Sequence, residues 1–67
     1  MKSEQEVRQK IFLWFLEKTA SKEIAEGERD SLDDGELLDS LCCNTWADVT
    51  DQDIEDHCSE ALSYYAE

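Results

Sequence analysis

Four side chains of the types that bind zinc lie in the second half of the chain: Cys42, Cys43, His57 and Cys58. Three thiolates and one imidazole form an established zinc ligand set. Their spacing disfavours such a site, because adjacent helical residues diverge by about 100° and zinc-binding pairs usually have two to four residues between them. Cys42 and Cys58 instead fit apolar helix faces, where a cysteine is ordinarily buried. We therefore predict no metal site.

A second segment begins like a calcium-binding EF-hand loop. Asp30 stands at the first position of such a loop and Gly35 at the sixth. Leu32 then occupies position three and Leu41 position twelve, where calcium requires an oxygen ligand and a bidentate glutamate. The segment lacks the ligands that calcium needs.

The remaining titratable residues do not form a pattern typical of catalysis. General acid–base catalysis requires carboxylates with shifted pKa values in a sheltered cleft, whereas helical periodicity places the acidic residues of this chain on polar faces. His57 is the only imidazole, and no Ser/His/Asp or Cys/His constellation can be argued from its spacing. We predict a protein that is not an enzyme and carries no cofactor.

Two short segments resemble a known family. Asp30-Ser31-Leu32-Asp33, followed by Glu36-Leu37, resembles the Asp-Ser-Leu segment of acyl carrier proteins, whose serine bears phosphopantetheine. Val49-Thr50-Asp51-Gln52-Asp53 falls about where that family enters its third helix. The segment from Gly35 to Leu41 resembles the same motif in carriers of the alanyl and peptidyl type. The resemblance implies a phosphopantetheine group on Ser31 or Ser40, and a carrier protein is our alternative interpretation.

Charge is distributed unevenly along the chain. Its 67 residues carry 18 acidic and 6 basic side chains, which gives a formal net charge of −12. All six basic residues lie within positions 1–29, where six acids balance them, whereas positions 30–67 hold twelve acids and no Lys or Arg. A surface of this charge repels phosphate backbones and anionic lipids, which disfavours binding to nucleic acid or membrane. The asymmetry indicates a basic protein partner, although a solvated acidic surface has the same composition.

Length and composition predict one small cytoplasmic domain spanning residues 1–67. Apolar residues make up 40% of the chain, too many for a disordered acidic tail. No apolar run approaches the roughly 18 residues that span a membrane, and the first residues show no signal-peptide pattern. Three cysteines, an odd number, are typical of free thiols in a reducing compartment.

The apolar periodicity predicts an all-α bundle of three or four helices, the first of which begins at Ser3. Ser3 and Glu6 form a capping box, and the run Ile11–Leu16 makes this helix apolar around most of its circumference. Such a helix is buried on several sides or offers one side to another protein. The run also fits a buried strand, although its charged flanks favour helix. Whether the helix continues toward Gly27 or breaks near Thr19–Ser21 is left open.

Two further helices are predicted in the acidic half. One begins between Ser31 and Asp34, ends by Asn44 and has Leu37, Leu38, Leu41 and Cys42 on one face. The other begins at Thr50, with Asp53 as its capping-box partner. Trp46 and Val49 fill the core from the connection. The residues predicted to be buried in the helices and the connection also include Val7, Ile11, Trp14, Phe15, Ile54, Cys58, Leu62 and Tyr65.

From these patterns we predict an acidic inhibitor, of the kind encoded by phages and mobile elements, that occupies a basic nucleic-acid-binding surface on a partner protein. Carboxylates on rigid helices attract Lys and Arg clusters as phosphates do. One helix of about 24 Å would need roughly 14 charges to imitate a duplex, so part of a duplex or a single strand is the better comparison. The predicted contacts are Asp33, Glu36, Asp39, Asp53, Asp56 and Glu60. Leu13 and Leu16 would form an apolar anchor or a homodimer contact.

Overall fold

The computed structural model describes residues 3–65 and contains four α-helices. They are α1 (Glu4–Thr19), α2 (Lys22–Asp30), α3 (Asp34–Ser40) and α4 (Asp51–Tyr65), with one 3-10 turn at Trp46–Asp48 before α4. Within residues 3–65 there is no strand. The all-α prediction is therefore confirmed, and the run Ile11–Leu16 lies in a helix.

The first predicted helix is broken into α1 and α2. Ser3 begins α1, its hydroxyl accepting a hydrogen bond of 3.3 Å from the Glu6 amide. Ala20 ends α1 in the left-handed conformation (φ 56°), and its amide donates to the carbonyl of Leu16. The Ser21 hydroxyl then caps α2 by accepting a hydrogen bond from the Ile24 amide. The break lies inside the segment that the sequence leaves open.

Side-chain caps also begin the two helices of the acidic half. The Asp33 carboxylate accepts a hydrogen bond of 2.9 Å from the Glu36 amide at the start of α3. At α4, Thr50 and Asp53 each donate a backbone amide to the other's side-chain oxygen, both at 3.1 Å. This reciprocal pair is the capping box predicted from the sequence.

One prediction for α3 is wrong: Cys42 does not continue its apolar face. The helix ends at Ser40, and Cys42 is exposed with a φ of 60°. Its left-handed backbone lets the Cys43 amide reach the carbonyl of Leu38 at 3.0 Å, the bond that closes a Schellman-type helix end. The end of the helix, rather than its periodicity, determines the position of Cys42.

The core surrounds α1, which packs against α2 and α4. Among the described residues the buried apolar side chains are Val7, Ile11, Phe15, Ala25, Leu37, Leu41, Val49, Ile54 and Cys58. Trp14, Trp46 and Leu62 are only partly buried against them. The predicted burial of Tyr65 is wrong, because its side chain is 52% exposed and its hydroxyl donates to the Glu28 carboxylate at 2.5 Å.

Arg8 connects three helices at one end of the bundle. Its guanidinium donates to the carbonyl oxygens of Arg29 at 2.5 Å and Leu32 at 2.9 Å. It also pairs with Glu4 at 2.9 Å and Asp34 at 3.5 Å. These contacts hold the segment between α2 and α3 against α1, and thereby fix where the acidic half begins.

Candidate functional site

The six acids predicted as partner contacts lie on α3 and α4, with Asp33 at the N-cap of α3. We call this set the acidic surface: Asp33, Glu36, Asp39, Asp53, Asp56 and Glu60. The two helices meet where the Ser40 hydroxyl lies 2.9 Å from Nδ1 of His57. Ser40 directly follows Asp39, and His57 directly follows Asp56, so one acid of each helix is the sequence neighbour of this contact. Five of the six acids are exposed, and Asp53 is partly buried.

Two members of the acidic surface also hold the fold. Asp33 is the N-cap of α3, and Asp53 closes the capping box of α4. The Asp53 carboxylate additionally lies 3.6 Å from the thiol sulfur of Cys43, which donates to it. A partner that binds these two carboxylates would find them already positioned by backbone amides, because a cap fixes its side chain.

The positive charges of the described residues are engaged with their own chain. Ion pairs join Arg8 to Glu4 and Asp34, Lys10 to Asp51, Lys22 to Glu26, and Arg29 to Asp30. Lys18 instead lies over the ring of Trp14 at 5.7 Å. Within residues 3–65, five acids of the acidic surface form no ion pair with Lys or Arg: Asp33, Glu36, Asp39, Asp56 and Glu60. No Lys or Arg of the described residues neutralises their charge.

A cleft of about 300 Å³ lies beside the contact between α3 and α4. It is lined by Ser40, His57, Glu60, Ala61 and Tyr64. Glu60 is the one member of the acidic surface that lines it, and the Tyr64 side chain is 72% exposed. Sequence reasoning missed this cleft. The signal was the spacing of His57, Glu60 and Tyr64 at i, i+3 and i+7, which places all three on one helix face.

His57 is half-buried at this cleft, and burial lowers its pKa below the ordinary value, while the nearby carboxylates of Glu28 and Glu60 act in the opposite direction. Its Nδ1 has Ser40 as partner, whereas Nε2 is buried without a hydrogen-bond partner among the described residues. A catalytic histidine is normally oriented by a third group on the second ring nitrogen. The Ser40–His57 pair does not have that arrangement within residues 3–65.

The three thiols differ in environment. Burial raises the pKa of Cys58 to about 12, and burial together with Asp53 raises the pKa of Cys43. Cys42 is exposed, and all three thiols are free. Among residues 3–65, no three His, Cys, Asp or Glu side chains converge to hold a metal ion.

The two residues predicted as an apolar interface have different surroundings. Leu13 is 51% exposed on the outer side of α1, whereas Leu16 is partly buried and packs against the core. Of these two residues, Leu13 therefore has the larger exposed apolar surface, whereas Leu16 contributes to the packing of the core. A homodimer through these residues stays a prediction.

The two serines considered for phosphopantetheine also differ in position. Ser31 is exposed at the end of α2, two residues before the Asp33 cap of α3. Ser40 is the last residue of α3, where its hydroxyl contacts His57.

None of the described helices combines the length and apolar character needed to cross a membrane. Comparison of the chain with protein-family models, with curated proteins and with solved structures finds no match.

Proposed function

We propose that this protein is a non-enzymatic inhibitor whose acidic surface binds a basic, nucleic-acid-handling protein in the cytoplasm. Such a partner presents Lys and Arg side chains to phosphates, and the acidic surface offers carboxylates in their place. An inhibitor of this kind suits a phage or mobile element that must block a host or competing enzyme. Reducing conditions in the cytoplasm keep the three free thiols unpaired.

The observation that carries this proposal is the separation of charge in the fold. Each Lys and Arg within residues 3–65 contacts an acid or an aromatic ring of its own chain. In the described part of the chain, the ion pairs that reach acids of the second half join Arg8 to Asp34, Lys10 to Asp51 and Arg29 to Asp30. Within residues 3–65, Glu36 and Asp39 on α3 and Asp56 and Glu60 on α4 form no ion pair with Lys or Arg.

The density of acids along α4 is close to that of a single nucleic-acid strand. Asp51 and Glu60 are separated by about 14 Å along the helix axis, at a rise of 1.5 Å per residue. A single strand carries roughly four phosphates over that length, and a duplex about twice as many. The same stretch of α4 carries five acids, one of which, Asp51, pairs with Lys10: Asp51, Asp53, Glu55, Asp56 and Glu60. This density supports a single-strand binding site on the partner.

A capture experiment followed by competition tests the proposal. Tagged protein is incubated with lysate of the source cell, and the retained proteins are identified by mass spectrometry. We expect the retained protein to be a basic nucleic-acid-binding protein. A single-stranded oligonucleotide should release it from the tagged protein, because the oligonucleotide and the tagged protein bind the same surface of this partner. Retention that an excess of oligonucleotide does not reduce would contradict competition for that surface.

The exposed position of Ser31, three residues before α3 begins, favours the carrier protein as a second candidate. A promiscuous phosphopantetheinyl transferase with coenzyme A would then increase the mass of the intact protein by one prosthetic group. The Ser31→Ala variant would lose that increase, and Ser40→Ala serves as the matched control. An unchanged mass for the wild-type protein rules out this candidate.

A further inference from the structure

The cleft between α3 and α4 has the chemistry of a receptor for one side chain of the partner. From its lining we infer that this cleft accepts an arginine side chain, whose guanidinium pairs with Glu60 and stacks on the ring of Tyr64. This assignment rests on the proposed function. The contact with arginine would give the acidic surface specificity for its partner.

The exposed aromatic ring is the first observation in support. Tyr64 is 72% exposed, the most exposed of the large apolar side chains described. It lies one helical turn after Glu60, and both line the cleft. Tyrosine and arginine are enriched where protein interfaces derive most of their affinity, so an exposed ring beside a carboxylate suits a binding site better than a solvated surface.

Charge complementarity is the second observation. Glu60 forms no ion pair with Lys or Arg within residues 3–65. Ser40, at the C-terminal end of α3, lines the cleft, and no basic residue lies in the last turn of α3 or of α4. The cleft therefore presents a carboxylate that no Lys or Arg of the described residues neutralises.

The chain itself contains the arrangement that we assign to the complex. The guanidinium of Arg29 lies 5.1 Å from the ring centre of Phe12 and donates two hydrogen bonds, at 2.9 and 3.0 Å, to the Asp30 carboxylate. The cleft presents the same pair of groups, a ring and a carboxylate, but without an arginine from its own chain. A guanidinium fits both groups better than an ammonium, because it is planar, stacks on rings and binds carboxylates with two parallel hydrogen bonds.

Titration with hexa-arginine and hexa-lysine peptides tests this assignment without the natural partner. Binding is followed by the backbone amide shifts of the isotope-labelled protein at low ionic strength. We expect the arginine peptide to bind more tightly and to shift His57, Glu60, Ala61 and Tyr64 most. Tyr64→Ala should lower the affinity for the arginine peptide about threefold, which corresponds to the loss of an exposed cation–π contact. The affinity for the lysine peptide should change much less.

A pair of variants with equal charge change separates the cleft from the rest of the acidic half. Glu60→Gln should lower the affinity for the arginine peptide more than Glu55→Gln does. Glu55 is an exposed acid of α4 that does not line the cleft. Equal affinity for the two peptides, with shifts spread over α3 and α4, would overturn the cleft assignment and leave the acidic surface in place. If neither peptide binds, the acidic surface itself is refuted.

Discussion

The guanidinium of Arg8 lies 2.9 Å from the carbonyl oxygen of Leu32, across 24 residues of sequence. The same side chain bonds the carbonyl of Arg29 at the end of α2 and the carboxylate of Glu4. A basic residue of the neutral segment thus fixes the backbone that leads into the acidic half.

The Arg8→Ala variant should lower the free energy of unfolding by roughly 2 kcal/mol, because charge-assisted hydrogen bonds to partly buried carbonyls are lost. Urea denaturation followed by circular dichroism measures the change. Lys22→Ala is the control: its side chain is 76% exposed and its ion pair spans 3.8 Å, so we expect a change within about 0.5 kcal/mol. Equal effects of the two substitutions would show that Arg8 is only a surface charge.

The capping box of α4 gives a second prediction. Asp53→Ala removes the acceptor for the Thr50 amide and should reduce stability by about 1 kcal/mol. Glu55→Ala removes an equal charge from an exposed position of the same helix and should change stability by less than about 0.5 kcal/mol. The same urea titration distinguishes them, and a neutral Asp53→Ala variant would mean that the cap contributes no stability.

The left-handed backbone of Ala20 gives a third prediction. A residue other than glycine at a φ of 56° is strained by about 1 kcal/mol. Ala20→Gly should therefore raise the thermal midpoint, although glycine is usually destabilising. The same substitution at Ala61, inside α4, should lower the midpoint. If both substitutions lowered it, the break between α1 and α2 would not depend on this conformation.

Much of this architecture could be predicted from local patterns. Ser3, and Thr50 with Asp53, mark helix starts by residue type and spacing alone, and the structure confirms both positions. The positions where helices end are harder to predict. Ala20 and Cys42, which end α1 and follow α3, adopt left-handed conformations that neither residue type favours. Tyr65 follows the spacing of the buried stripe, but its polar hydroxyl meets Glu28 at the surface instead.

The candidate site was only partly predictable for a different reason. Helical periodicity places acids on the polar faces of α3 and α4 and thereby predicts that these acids are exposed. The meeting of Ser40 with His57 depends on how two helices separated by a long connection pack, and the contacts of Arg8 depend on the break after α1. Tertiary contacts of this kind leave no local pattern in one sequence.

His57 gives a prediction on the dependence of stability on pH. Because burial holds its pKa in the folded protein below the ordinary value, the unfolded chain binds the proton first as the pH falls. Its contribution to stability is therefore present above about pH 6.5 and is lost as the pH drops below that value.

The difference in unfolding free energy between wild type and His57→Asn should change as the pH falls from about 7.5 to about 5, with the wild type losing more stability. The other titratable groups of the chain are present in both proteins, so their contributions largely cancel in the difference. A difference that stays constant over this range would contradict the burial of the imidazole.

The most direct test of the acidic surface is a comparison of two triple variants with identical changes in charge. One carries Asp39→Lys, Asp56→Lys and Glu60→Lys on α3 and α4, and the other carries Glu6→Lys, Glu17→Lys and Glu23→Lys on α1 and α2. All six positions are exposed, and Asp53 is left intact so that the cap of α4 remains. Circular dichroism verifies that each variant is folded.

The measurement is the dissociation constant of each variant for the purified protein captured from the source cell, at fixed salt. We predict that reversal on α3 and α4 weakens binding at least about 100-fold, because like charges then face each other, while reversal on α1 and α2 leaves it within a few-fold of wild type. Equal weakening by both variants, or unchanged affinity after reversal on α3 and α4, would contradict the acidic surface as the binding site.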